Sequence, residues 1–234
     1  MVCIGVIGAM EEEVASLIHQ MEDAEKKTIA GMTFYRGTLW NQQAVVVQSG
    51  IGKVNMAICT QILVNVYEVD MLINTGVAGG LYKDINVGDI VISSDALHHD
   101  FDVTGLGYKR SVIPGMESSV FVADPELVEM AKDACEIVNP EIQCFVGRVV
   151  TGDQFISDKS VKNRIVENFG GYCTEMEGAA IAQTAYLNHI PFLIIRAISD
   201  KADDSAVMDY PIFEKKAAEH SFRLTKNFVK EIQH

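Results

Sequence analysis

The feature that most constrains this chain is an alternation. Short apolar runs ending in Gly, Ser, Thr or Asp are separated by longer segments of helical periodicity from one end to the other. Cys3–Ile7, Ala44–Val47, Met71–Ile73, Ile90–Ser93, Phe145–Val150 and Phe192–Ser199 have the length of strands, and several are continuous enough to be buried on both faces. Phe34–Leu39 reads as a further strand, hairpin-paired with Ala44–Val47. Helices are expected over Glu11–Met21, Val54–Val66, Pro125–Val138, Lys159–Asn168, Gly178–Asn188 and Phe213–Ile232. The third has the clearest start, with Asp124 as cap, Pro125 at the first helical position and Glu126 in the first turn. Strands alternating with helices form an α/β fold, a mostly parallel sheet covered on both faces. In such sheets ligands bind beyond the carboxyl ends of the strands.

No repeat, low-complexity tract or Pro/Ser-rich linker divides the chain, so residues 1–234 read as one domain. A chain of this size buries roughly 70–75% of the surface that it exposes when unfolded, enough for a core without disulfide or metal staples. The balance of 19 Lys+Arg against 32 Asp+Glu gives a net charge of −13. That excludes nucleic acid and anionic membrane surfaces as partners, because both demand clustered cations. The five cysteines are odd in number, lack Cys-x-x-Cys spacing and mostly sit among apolar neighbours, as buried reduced thiols do. No basic leader or small-residue cleavage site precedes Glu11–Glu13, and no apolar run reaches the roughly 18–20 residues of a bilayer span. A cytoplasmic location is expected.

The strand ends carry the chemistry. The first strand runs through Gly8-Ala9-Met10 into Glu11-Glu12-Glu13. Acids in a first turn are favoured by the helix dipole by about 0.3–1 kcal/mol each, and the same place suits a base facing the crevice, so both readings stay open. Ser49-Gly50-Ile51-Gly52-Lys53 falls short of a phosphate loop, with Val47 where its first Gly belongs and Val54 where Ser or Thr belongs. The glycines of Asn74–Gly80 lack the Gly-x-Gly-x-x-Gly spacing of nicotinamide and flavin sites, so no such cofactor is expected. They suggest a loop whose backbone can approach a ligand closely. His98, His99, Asp100 and Asp102 read as a packed polar cluster, since adjacent histidines diverge on a strand and no third metal ligand follows at a suitable spacing.

Two further stretches are more informative. In Thr174-Glu175-Met176-Glu177-Gly178, two acids open an Ala-rich helix; if extended they share a face, and if helical they lie about 200° apart, so that one alone would touch a given ligand atom. In Ile194–Asp200 a buried-looking strand delivers Ser199 and Asp200 at its carboxyl end, where Asp200 is either a cap or a functional acid. Taken together, Glu13, Glu177 and Asp200 are three acids at three strand ends. Carboxylates converging in a dry crevice push one another's pKa values apart, leaving one as an acid and another as a base. Hydrolysis of a glycosidic bond needs such a pair.

At these residues the sequence resembles the bacterial 5'-methylthioadenosine/S-adenosylhomocysteine nucleosidases, of the nucleoside phosphorylase family. The matching stretches, in order, are Ile7–Glu13, Ser49–Val54, Asn74–Gly76 with Ala78–Gly80, Val87–Asp89, Gly152-Asp153 with Phe155-Ile156, Glu175–Glu177 and Arg196–Asp200. The resemblance implies a three-layer α/β/α sandwich around a mixed, mostly parallel twisted sheet, and a homodimer without cofactor or metal. It implies cleavage of an adenine thionucleoside to adenine and a 5-thioribose derivative, with 5'-deoxyadenosine as a further substrate. It implies that Asp200, oriented by Ser199, protonates adenine N7, that Glu13 activates the attacking water and that Glu177 holds the ribose hydroxyls. Phe155 would stack on the base, with the Ile156 backbone at its edge and Met176 beside the ribose. Glu175, Gly79 and Ala202 are grouped with the binding residues, and Ala9, Met10, Ile51, Val77 and Tyr210 with the pocket lining. Leu106, Tyr108 and Pro114 would reach the thioalkyl group from the partner subunit.

Three positions depart from the commoner pattern of that family: Leu106 where an aromatic residue is frequent, Val77 where a small polar one is, and Tyr210-Pro211 in place of a stretch written around Phe and acids. By that resemblance, all three would touch the 5'-substituent pocket and its closing helix. A purine nucleoside phosphorylase, a non-catalytic nucleoside sensor and a nucleosidase preferring 6-amino-6-deoxyfutalosine are the rival readings. The first needs cations for phosphate at the end of strand one, where this chain has acids.

Overall fold

The computed structural model describes residues 2–232. In chain order the elements are β1 (Cys3–Gly8), α1 (Glu11–His19), β2 (Glu22–Ile29), β3 (Met32–Leu39), β4 (Gln42–Gln48), α2 (Lys53–Val66), β5 (Met71–Gly80) and β6 (Ile90–His98). After a 3-10 turn at Thr104–Leu106 come β7 (Phe121–Val122), α3 (Pro125–Val138), β8 (Cys144–Thr151), α4 (Lys159–Phe169) and β9 (Cys173–Glu175). The chain continues through α5 (Gly178–Asn188) and β10 (Phe192–Asp200) to α6 (Ala206–Glu231).

The strands form one mixed sheet. Its spine, β4-β1-β5-β10, is parallel throughout, while β2, β3 and β7 join by antiparallel pairing. β5 also pairs with β9, and β10 with β6, so that β10, β6, β8, β9 and β5 close a ring.

Period-two alternation sorts the side chains into two cores, as the pleat requires. On one face Ile4 and Val6 of β1, Ala44 and Val46 of β4, and Leu193 and Ile195 of β10 pack with apolar residues of α1, α3 and α6. On the other, Ile7, Val45, Val47 and Ile194 pack against α2 and α5. A smaller cluster seats Ile165 of α4 on Leu97 and Val150. The result is helices, sheet, helices, with the carboxyl ends of β1, β5 and β10 at one end.

The short strands β7 and β9 were not expected, β6 runs past Ser93 to His98, and three further elements differ more widely from expectation. β2 was not expected, because Glu22–Ile29 is polar and exposed along its length except at Ile29; it is an edge strand whose charges discourage pairing with other chains. β5 does not stop at Ile73, and Asn74–Gly80 is strand rather than loop. Its glycines are there for close packing: a Cβ at Gly79 would press on Ala202 and Asp200, and one at Gly80 on Ile85 and Ile198. α6 starts at Ala206, a full two turns before Phe213, and carries Pro211 inside it.

Candidate active site

Helix α1 begins at the end of β1, and its first free amides need acceptors. Met10 is the N-cap residue and lends no capping oxygen, so Glu13 reaches back: its Oε2 accepts from the Ala9 N–H at 2.6 Å and the Met10 N–H at 3.0 Å. Its other oxygen accepts from the Val77 N–H of β5 at 3.0 Å. The capping and functional readings of Glu13 are therefore compatible, since the cap is what fixes the carboxylate at the cavity wall. Burial raises its pKa, against the lowering effect of Arg196 and the three amides.

Glu175 and Glu177 part company. Glu175 is fully used: Oε2 accepts from the Glu177 N–H at 3.0 Å, the Gly178 N–H at 2.7 Å and Arg196 Nη2 at 2.5 Å, while Oε1 accepts from the Thr151 hydroxyl. Glu177 Oε1 accepts only from the Gly52 N–H, at 2.8 Å, and its Oε2 lies 3.7 Å from Arg196. Burial first, and the charge of Glu175 second, push the Glu177 carboxyl up to about 7. Of the two acids, Glu177 is the one with bonding capacity left for a ligand.

Asp200 follows a bulge at the end of β10. Its Oδ1 accepts from the Ala202 N–H at 2.7 Å and its Oδ2 from the Ser199 hydroxyl at 2.9 Å. Burial raises its pKa, although both hydrogen bonds act the other way.

Glu13, Glu177 and Asp200 thus line one cavity of about 420 Å³, within the usual range of small-molecule pockets. The remaining wall is mostly apolar, with Phe155 and Tyr210 edge-to-face at 5.8 Å between ring centroids. Ala9, Met10, Ile51, Val77 and Gly79 are also in the wall, as are Ile156, Glu175, Met176 and Ser199. Ala202 lies behind it, where its amide holds Asp200. Leu106, Tyr108 and Pro114 stay outside this chain's own cavity, on the segment between β6 and β7; Leu106 is 75% exposed and Tyr108 45%.

Sequence reasoning passed over Gln154, Thr174 and Ala78 in the wall, and Arg196 beneath it. Arg196 is fully buried, with Nη2 2.5 Å from both Asn74 Oδ1 and Glu175 Oε2. Glu175, Glu177 and Glu13 raise its pKa against the cost of burial. A Cβ at Gly76 would collide with Arg196 Nη1 and Glu13 Oε1, so the glycine leaves the guanidinium and the carboxylate facing each other. The signal was available: a single charge amid an otherwise buried strand must have a partner.

The histidine region is partly taken up by protein partners, with His98 Nδ1 and His99 Nε2 buried without a hydrogen bond. Lys53 pairs with Asp100 at 2.7 Å, the Asp153 N–H donates to Asp100 at 3.0 Å, and His98 Nε2 meets Gln183 Oε1 at 2.9 Å. Among the described residues no group of three His, Cys, Asp or Glu side chains could hold a metal ion, and no helix is long and apolar enough to cross a membrane.

A mixed sheet with a parallel spine and helices on both faces is joined here to acids grouped at one end, and residues 3–230 match the model of the phosphorylase superfamily; the chain belongs to that superfamily. Within it, the chain is 42% identical over 231 residues to the 5'-methylthioadenosine/S-adenosylhomocysteine nucleosidase of an Exiguobacterium species, covering 98% of each. Among solved structures it is similar to the nucleosidase of the same description from Neisseria meningitidis, in complex with methylthio-immucillin-A. That match has a TM-score of 0.95 and 38% identity over 99% of this chain and 100% of the other. Futalosine hydrolase of Helicobacter pylori matches with a TM-score of 0.93 and 30% identity, over 99% and 98% of the two chains.

Proposed function

We propose that this protein hydrolyses the N-glycosidic bond of 5'-methylthioadenosine and S-adenosylhomocysteine, and of 5'-deoxyadenosine, in the cytoplasm. The observation that carries the reading is the convergence of Glu13, Glu177 and Asp200 on one apolar cavity of nucleoside size. The relatives' activity and the inhibitor in the Neisseria protein agree with it.

The steps follow from the positions. Adenine leaves poorly until it is protonated; Asp200, whose burial favours the neutral acid and whose carboxyl is oriented by Ser199 and Ala202, gives its proton to N7. Positioned proton transfer of this kind is worth about 10²–10⁴ in rate. As the bond stretches, its electron pair moves to the base and the ribose becomes positive. Glu177 and Glu13 then attract it more strongly than they attract the ground state. Glu13 takes a proton from water as the water oxygen bonds to the anomeric carbon. Phe155 stacks on adenine, the Ile156 backbone meets its edge, and Met10, Ile51, Val77 and Tyr210 surround the 5' side, with Met176 by the ribose.

Phosphate fits this site less well. Among the described residues no Lys or Arg lines the cavity, and Arg196 lies beneath it with Nη2 bonded to Asn74 and Glu175. A carboxylate about 4 Å from a phosphate oxygen is repelled by about 4 kcal/mol at an effective dielectric near 20. The Helicobacter futalosine hydrolase supports a second reading of the substrate alone, 6-amino-6-deoxyfutalosine, with the same residues in the same roles.

The working unit in this reading is a homodimer. Ile51 (54% exposed), Val54 (70%) and Ile58 (42%) form an apolar stripe beside the cavity mouth, at the start and on the outer face of α2. A partner's Leu106, Tyr108 and Pro114 would close the mouth. The test is to incubate methylthioadenosine, S-adenosylhomocysteine, 5'-deoxyadenosine and inosine separately, with and without phosphate. Free adenine and a reducing sugar are expected from the first three, independent of phosphate. A phosphate requirement with a sugar 1-phosphate product, or equal activity on inosine, overturns the assignment.

A further inference from the structure

One end of the cavity carries a polar device that the proposed chemistry does not use. Tyr210, in the second turn of α6, presents its ring to the cavity and its hydroxyl to two neighbours. Glu214 Oε1, one helical turn further on, lies 2.7 Å from that hydroxyl, and Met10 Sδ lies 3.3 Å from it. A phenol has one proton to donate. The carboxylate takes it, because a charge-assisted hydrogen bond is about twice as strong as a neutral one and a thioether sulfur is a weak acceptor. No Lys or Arg is within ion-pair distance of Glu214 among the described residues, so its charge stays turned toward the phenol.

With its proton committed to Glu214, the phenolic oxygen keeps only lone pairs for the Met10 and cavity side. The groups around it share that sign: Glu12 and Glu13 on α1 both act on the Tyr210 phenol. A phenylalanine here would offer a ring edge and nothing more. We infer that Tyr210 is the specificity-determining residue for the group carried on the 5' sulfur, and that Glu214 is its positioning residue. The pair favours a 5'-substituent ending in a hydrogen-bond donor or a cation over one ending in an anion, and it leaves a plain methylthio group to the apolar wall. This deepens the proposed nucleosidase function and rests on it.

Three substrates separate the possibilities: methylthioadenosine as the neutral reference, 5'-(3-aminopropylthio)-5'-deoxyadenosine with a cationic tail, and 5'-(2-carboxyethylthio)-5'-deoxyadenosine with an anionic one. Glu214→Gln and Tyr210→Phe are each compared with the parent. Glu214 is half-buried and distant from the three acids in sequence, so the Gln variant keeps the fold while removing the charge. The expected result in both variants is a loss of about tenfold in kcat/KM for the aminopropyl substrate relative to methylthioadenosine, the scale of one lost charge-assisted hydrogen bond. In Glu214→Gln the loss falls on KM, and the carboxyethyl substrate moves the opposite way. A merely structural role for Glu214 would raise KM for all three together. Ratios within twofold of the parent in both variants, or parallel changes on all three substrates, overturn the specificity assignment alone. A parent without activity on methylthioadenosine overturns the nucleosidase reading and this inference with it.

Discussion

The two ends of the cavity are built by opposite rules. At the strand ends the functional oxygens are held by protein donors, Glu13 by three amides, Glu175 by four donors and Asp200 by an amide and a hydroxyl, and Glu177 alone keeps an oxygen without a hydrogen bond. At the mouth the groups are mostly apolar and more open, with Phe155 50% and Ile51 54% exposed. Rigid secondary structure holds groups to the tolerance that bond-breaking demands, whereas loops and neighbouring surfaces tolerate variation. In the proposed reading, the difference assigns bond-breaking to the strand ends and the choice of 5'-substituent to the groups at the mouth.

The largest effect should come from the sheet end. Asp200→Asn keeps the shape and the Ala202 hydrogen bond but has no proton to give to N7, so kcat should fall by about 10²–10⁴, a barrier rise of about 3–5.5 kcal/mol. The dissociation constant for a non-reacting nucleoside should change by less than about tenfold. Turnover equal to the parent's would remove Asp200 from the acid role, and would break the contrast between a chemical end and a selective end.

A smaller effect, on stability rather than rate, tests whether the rigid end is held under electrostatic load. Glu177 in the folded protein has its pKa raised from 4.5 to about 7, so the folded state binds its proton more tightly than the unfolded chain does. The stability that this proton contributes is fully present below about pH 4.5 and is lost as the pH rises through about 7. Glu177→Gln mimics the protonated form and still accepts from the Gly52 N–H. It should therefore stabilise the protein at pH 8, by at most about 3 kcal/mol, while weakening ribose binding. Denaturant midpoints at pH 8 and pH 5 check this: the gain should shrink at pH 5. A variant less stable than the parent at pH 8 would mean that Arg196 already compensates the charge.

How far all this could be read in advance follows the same division. Gly178–Asn188 and Pro125–Val138 were legible to the residue, the second because its Asp124 cap is local, and Glu13, Glu177 and Asp200 stood out because each ends or closely follows a strand. Three things were hidden for physical reasons. Glycines from 76 to 80 look like a loop in one dimension, but they are a strand whose missing Cβ atoms make room for Arg196, Ala202 and Ile85. Arg196 is silent in a linear pattern, since only the fold brings it to Asn74 and Glu175, 122 and 21 residues away. β2 has no apolar face to announce it, being held by its ladder to β3 alone. The bulk of the α/β order is a local property, whereas the closure of the charged network is not.

The smallest effect belongs to the mouth. Leu106 is 75% exposed in its own protomer, so truncating it there removes almost no packing, and surface changes of that kind usually stay within about 0.5 kcal/mol. If a partner's cavity receives it, the same leucine is buried whenever substrate binds, and burial of such a side chain is worth about 1.5–3 kcal/mol. Leu106→Ala should then raise KM for methylthioadenosine on the order of tenfold, with the folding midpoint of the protomer unmoved. Sedimentation at the assay concentration decides the interpretation. A monomer with the parent's full activity, or a dimer whose KM ignores the substitution, would remove the partner's share and leave the selective end of the cavity to Met10, Tyr210 and Phe155 of the protomer alone.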